Sequence, residues 1–247
     1  RNETDITPDY FIRETGEWLV FRTSSMRSSR MSCAGNARAS PRSSRRRRNS
    51  GRPAEPVAVM QRICVYCGSN PGNDPAYAAA AEELAGVLVD GGLELVYGGA
   101  HKGTMGVLAD AVLARGGAVH GVIPQMLEEK EIAHTGLTKL HVVASMHERK
   151  SMMAALSDGF IALPGGFGTL EELVEIVTWG QLRFHDKPCG VLNVKGYFDQ
   201  LLAYLDHAQA EGFLKPENRA MLLADDTATG LLQQFEAYRS PTVEKWT

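Results

Sequence analysis

Ten residues, Leu163-Pro-Gly-Gly-Phe-Gly-Thr-Leu-Glu-Glu172, constrain this chain more than any other stretch, because they join an apolar run to a helix through a glycine-rich turn. Phe160-Ile-Ala-Leu163 reads as a buried strand that Pro164 ends. Gly165, Gly166 and Gly168 let the backbone come close to a ligand and adopt positive φ. Thr169 is expected to cap a helix running through Val177, whose unpaired first N–H groups and positive dipole end would face an anion. A phosphate is the expected guest. Glu171 and Glu172 follow at once, and carboxylates beside a bound anion make sense when they act on another part of the same ligand. That points to chemistry rather than storage.

The surrounding pattern is one of short apolar runs alternating with amphipathic stretches, which predicts a parallel sheet with helices on both faces. Strands are expected over 63–67, 93–97, 118–123, 139–143, 159–163, 189–194 and 221–224, and helices over 75–90, 104–115, 146–157, 170–182, 197–211 and 227–238. The fold class is α/β, a Rossmann-like doubly wound parallel sheet in a single domain over 57–247. Ligands of such folds sit beyond the carboxyl ends of the strands. Four polar or glycine-rich segments fall there: 68–72, 98–106, 145–150 and 164–169.

Residues 1–56 differ in kind. They hold 12 Arg, no Lys and 6 acids, a charge of +6 that the net −3 of the whole chain conceals. Between Arg22 and Arg52 there is no acidic residue, and Arg45 to Arg48 form an unbroken basic run, so disorder is expected. A transit peptide, a nucleic-acid-binding arm and codons upstream of the true start all fit. The last is favoured, because Met60 immediately precedes the first core strand, and nucleic acid is the least favoured partner. Four cysteines make no disulfide framework, and no apolar run reaches the roughly 18 residues a membrane helix needs, so a reducing cytoplasmic setting is expected. Cys64-Val-Tyr-Cys67 lies on a strand, where positions three apart face opposite sides, and reads as half-buried packing rather than a redox or zinc motif.

Gly98-Gly-Ala-His-Lys-Gly-Thr-Met-Gly106 has the spacing GGxxxGxxG, not that of a dinucleotide fingerprint, and fits either close packing or ligand contact. Thr169-Leu-Glu-Glu172 matches a capping box, which competes with a chemical role for Glu172. Ser145-Met-His-Glu148 carries the same pattern, and there Glu148 is read as a cap. Arg149 and Lys150 stand in the first turn of a helix, where positive charge is disfavoured unless an anion or carboxylate repays it. The seven histidines show no ligand spacing, so no metal and no cofactor are expected.

Pro164-Gly-Gly-x-Gly-Thr-x-x-Glu172, preceded by Met146-His-Glu-Arg-Lys150, resembles the signature pair of the LONELY GUY (LOG) family of cytokinin-activating phosphoribohydrolases, over roughly 61–238. Many relatives carry the label lysine decarboxylase, which nothing in these residues supports. The resemblance implies hydrolysis of the N-glycosidic bond of N6-modified adenosine 5′-monophosphates to free base and ribose 5-phosphate. It makes Arg149 and Glu172 the catalytic pair. It gives substrate binding to Glu131, Arg149, Lys150, Gly165, Gly166, Phe167, Gly168, Thr169, Leu170, Glu171 and Thr178, and it implies a homodimer. The modified base would need an apolar slot, with Met126, Leu127 and Met146 near the right loops. The alternative is a non-catalytic nucleotide or cofactor binder of the same fold, similar to the molybdenum-cofactor carrier proteins.

Overall fold

The expected strands pair in parallel into one seven-stranded sheet of order β4-β3-β2-β1-β5-β6-β7. The computed structural model describes residues 60–128 and 133–241. The Arg/Ser-rich segment 1–56 and Glu131 lie outside the described residues. The elements run β1 (Arg62–Tyr66), α1 (Pro75–Asp90), β2 (Glu94–Tyr97), α2 (Gly103–Ala114), β3 (Val119–Pro124), α3 (Gln125–Glu128), β4 (Lys139–Val143) and α4 (Met146–Leu156). Then follow β5 (Gly159–Ala162), α5 (Phe167–Gln181), β6 (Cys189–Leu192), a 3-10 turn (Val194–Gly196), α6 (Asp199–Ala210), α7 (Pro216–Arg219), β7 (Leu222–Asp225) and α8 (Ala228–Ala237). The chain builds outward from β1 to β4, then crosses back to place β5 on the other flank of β1. That reversal puts the turns after β1 and β5 side by side, and the Leu163 N–H donates to the Tyr66 carbonyl at 2.9 Å.

Each central strand is apolar on both faces because each face is covered. Ile63, Val65, Leu95, Tyr97, Ile161 and Leu163 pack with α1, α2 and α8, while Tyr66, Val96, Phe160, Ala162 and Val191 pack with α4 and α5. Cys64 and Cys67 fall into opposite layers, as strand alternation requires. Burial pushes both thiols well above their ordinary pKa and lifts that of Cys189 to about 12, so these are packing residues. The helix α1 shows why the elements form where they do. Asp74 accepts from the Ala76 N–H at 2.9 Å and Pro75 occupies the first turn. Ala81, Leu84, Ala85 and Leu88 then make one buried stripe, and Gly92, at φ +67°, turns the chain into β2.

The start of α5 and the end of β6 differ from the sequence pattern. The helix α5 begins at Phe167 with Gly166 as its N-cap, so Thr169 is not a cap but a buried residue inside the first turn. Gly165, Gly166 and Gly168 do not adopt positive φ. What glycine supplies at 165 is space: a Cβ there would fall on the Thr169 hydroxyl. The strand β6 stops at Leu192, because Asn193 turns the chain into the 3-10 segment, where Lys195 and Gly196 have φ of 53° and 72°. The four-residue helices α3 and α7 are too short to show a period.

The buried α1 stripe makes a direct test of this packing. Leu84→Ala is expected to lower stability by about 2–5 kcal/mol, the range for buried leucine truncations, read as a fall in the urea midpoint without a change in slope.

Candidate functional site

The glycine turn and the start of α5 form one edge of the site. Gly166 opens the helix with φ −93° and ψ −151°, and the first bond within it runs from the Leu170 N–H to the Gly166 carbonyl at 3.1 Å. Ahead of that bond, Phe167, Gly168 and Thr169 carry the unpaired donors of a helix start. Gly166, the N-cap, has no side chain to cap this end. A Cβ at Gly166 or Gly168 would meet nothing within 4 Å, whereas Gly165 is held against Thr169 and Gly68. The turn is therefore closed towards the protein and open on its other side. Phe167 stands at its lip, 93% exposed.

The opposite edge is Arg149. Ser145 caps α4 by accepting the Glu148 N–H at 3.1 Å, and the Glu148 carboxylate takes the Ala144 N–H at 2.9 Å, so Glu148 is the cap its pattern predicts. One residue later Arg149 turns inward and is only 8% exposed. Its Nε donates to the Val122 carbonyl of β3 at 3.0 Å, and Nη1 donates to Glu172 Oε1. Glu172 pairs with Arg149 instead of reaching back to Thr169, so the capping-box reading of this segment does not hold. Among the described residues no donor reaches the other oxygen, Oε2. Burial raises the Glu172 pKa, and the Arg149 charge and hydrogen bond pull in the other direction without cancelling it.

Sequence reasoning missed what makes room for this pair. A Cβ at Gly98, at the end of β2, would fall on the Arg149 guanidinium. The rest of the 98–106 loop answers to packing as well: Gly103, at φ +60°, lies against the Ser69–Asn70 backbone, and Gly106 against the His101 carbonyl. The glycine of a βα turn was the only signal, and it named no partner.

Other anticipated residues are placed differently. Lys150 extends along α5 to Glu171 at 2.5 Å and Glu175 at 2.9 Å. Burial works against its charge, but the two carboxylate hydrogen bonds outweigh it and raise its pKa. Its ammonium is thus committed to α5 and not to the glycine turn. Thr178 lies three turns along α5, its hydroxyl bonded to the Val174 carbonyl at 2.7 Å, and is not gathered with the turn. Leu170 packs partly into the layer beneath. A cleft of about 530 Å³ sits elsewhere, lined by Glu128, Ala133, His134, Thr135, Leu137 and Leu140, and contains none of the Arg149, Glu172 or turn residues. It is not where the paired charges meet.

Fold and site together define a Rossmann-like α/β protein with a buried guanidinium–carboxylate pair beside an open helix start at the reversal of strand order. The family pattern described as "Possible lysine decarboxylase" matches residues 105–235. A rice protein (Oryza sativa subsp. japonica), "Probable cytokinin riboside 5'-monophosphate phosphoribohydrolase LOGL5", is 50% identical over 182 residues, covering 74% of each chain. The Arabidopsis thaliana "Cytokinin riboside 5'-monophosphate phosphoribohydrolase LOG5" is 49% identical over 180 residues, 73% of this chain and 79% of its own. This chain belongs to the LOG family. Among solved structures it is similar to the molybdenum cofactor binding protein of Rippkaea orientalis, with a TM-score of 0.56 at 19% identity over 73% of this chain and 98% of the other. At that identity the likeness speaks for the fold alone.

Gly98→Ala tests the geometry of the pair. The added methyl displaces the guanidinium, and burial then acts on Glu172 unopposed. The Glu172 pKa should rise further, seen in a carboxyl-carbon NMR titration, with a stability loss of about 1–3 kcal/mol for the forced shift.

Proposed function

We propose that this chain hydrolyses the N-glycosidic bond of N6-modified adenosine 5′-monophosphates, with AMP as a further substrate, giving free base and ribose 5-phosphate. The observation that carries this reading is the placement of Glu172 on the helix that opens at the glycine turn. Glu172 lies five positions after Phe167, about 7.5 Å along the axis. A 5′-phosphate held at the turn therefore brings the sugar towards the carboxylate. Names borne by relatives of about half identity agree with this chemistry.

In this reading the N–H groups of Phe167, Gly168 and Thr169 receive the phosphate, Gly166 and Gly168 allow its close approach while Gly165 seats the turn on Thr169, and Leu170 and Glu171 complete the wall. Breaking the bond between base and C1′ leaves an oxocarbenium-like sugar. Ionised Glu172 stabilises that charge and positions or deprotonates the attacking water through Oε2. Arg149 holds Oε1 and serves as a positioning and binding group, since a guanidinium is a poor proton donor. Water is the only co-reactant: its hydroxyl goes to C1′ and its proton ends on the departing base. Lys150 contributes by fixing Glu171, while Glu131 and Thr178 are assigned by family resemblance.

We place the enzyme in the cytoplasm as a homodimer. No helix among the described residues is long and apolar enough to cross a membrane. Met146 on α4 and Val174 on α5 leave exposed apolar surface on two helices that Lys150 bridges, which accords with a second copy docking there. Sedimentation of the full chain at twice the monomer mass is the expected result.

The deciding experiment incubates the full chain separately with isopentenyladenosine 5′-monophosphate, AMP and the unphosphorylated nucleoside, and follows free base by chromatography. Base should appear from the phosphorylated substrates only, because binding energy at the turn positions the distant bond. Intact nucleotides throughout, with binding retained, would transfer the assignment to a carrier. Glu172→Gln should keep nucleotide binding and lose kcat by roughly 10²–10⁴-fold, and Arg149→Ala should weaken both. The pH profile carries its own sign. Because Glu172 must be ionised and burial raises its pKa, kcat should fall on acidification at a pH above the ordinary glutamate value of about 4.3. That limb should vanish from the residual activity of Glu172→Gln.

A further inference from the structure

The glycine turn is braced from outside by a residue that the catalytic reading does not use. The Tyr197 hydroxyl donates to the Gly165 carbonyl at 2.7 Å, across 32 positions of sequence. Tyr197 follows the 3-10 turn after β6, and its place there is itself fixed. The Asn193 side chain accepts the Phe198 N–H at 2.7 Å and donates to Asp199 at 2.7 Å, and Phe198 is buried in the core. Lys195, held at φ +53°, reaches the α1 cap Asp74 at 2.5 Å. The Tyr197 ring packs edge-on against Tyr77 of α1, with centroids 5.7 Å apart, and against Phe198 at 5.1 Å. The loops after β1, β5 and β6 are thereby tied to one another at the carboxyl end of the sheet.

The peptide joining Gly165 and Gly166 is trans, like every described peptide bond, so its C=O and N–H point in opposite directions. Anchoring the carbonyl on Tyr197 turns the Gly166 N–H away from Tyr197. Glycine at both positions leaves this peptide free to rotate unless something holds it, and Gly166 brings no capping side chain to α5. We propose that Tyr197 is a positioning residue that locks the Gly165–Gly166 peptide so that the Gly166 N–H joins the helix-start donors receiving the 5′-phosphate, an assignment that rests on the function proposed above. Its contribution is specific to the phosphate end of the substrate. The carboxylate end is set independently by Arg149.

Tyr197→Phe removes only the hydroxyl and keeps both ring contacts, so its melting temperature should match that of the wild type. Kinetics are read with isopentenyladenosine 5′-monophosphate, and inhibition with ribose 5-phosphate and with adenine. KM and the ribose 5-phosphate inhibition constant should both rise by roughly three- to tenfold, the worth of one ordinary hydrogen bond, while kcat and adenine inhibition stay within about twofold. Unchanged ribose 5-phosphate inhibition overturns the assignment, as does an equal weakening of adenine, which would mark general loosening. If the wild type turns over no nucleoside monophosphate, the proposed function fails, and calorimetric titration with ribose 5-phosphate still reads the turn. Weaker binding by Tyr197→Phe then supports the brace, and equal or absent binding in the two proteins rejects it.

Discussion

Taking the Arg149 guanidinium and the Glu172 carboxylate out of water together is the demand that the backbone around this site is arranged to meet. Each ion loses hydration worth several kcal/mol, and their mutual attraction and hydrogen bonds offset only part of that loss, since Glu172 keeps a raised pKa. The Val122 carbonyl takes Nε, Glu172 Oε1 takes Nη1, and the bare backbone at Gly98 leaves room for the group. Those contacts come from β3, α5 and the end of β2, while the Ser145–Glu148 cap sets where α4 begins and hence the height of Arg149. Four elements far apart in sequence must be in register before the pair can form, so the parallel sheet is a precondition of the site and not merely its support.

The sheet was legible because burying strands on both faces leaves a continuous apolar run, and helices between them leave a stripe such as Ala81, Leu84, Ala85 and Leu88. The start of α5 was not. Glycine has poor helix propensity, so Gly166, Phe167 and Gly168 read as loop and Thr169 as the cap, yet the helix takes them in because Thr169 packs onto the bare backbone of Gly165. Motif spacing brought Arg149 and Glu172 to attention, and the fold joins them across 23 positions. Gly98 and Tyr197 escaped for a different reason. Neither has a local pattern; each matters through a contact 51 and 32 residues away, respectively, and such contacts exist only once the strand order is known. Lys150 shows how far such a pattern reaches: a cation in the first turn of a helix calls for an anion or a carboxylate, and the structure supplies the carboxylates of Glu171 and Glu175.

A phosphate at the turn and an ionised carboxylate on the same helix would repel each other in a poorly screened cleft, and the proposed reaction requires both. The helix dipole eases only the first, because its effect fades within the opening turn and Glu172 lies beyond it. Burial pushes Glu172 towards the protonated form, which could neither stabilise an oxocarbenium nor take a proton from water. Arg149 opposes that push, so its first duty is to the charge state of Glu172 and only its second to the substrate. The division between the two oxygens follows. Oε1 is occupied by Arg149, and in the proposed reaction Oε2 is left for the sugar and water, so a buried carboxylate would be both fixed in place and chemically available. A surface salt bridge between the same residue types would satisfy neither requirement, because solvent would hydrate the carboxylate and weaken its hold on a developing positive charge.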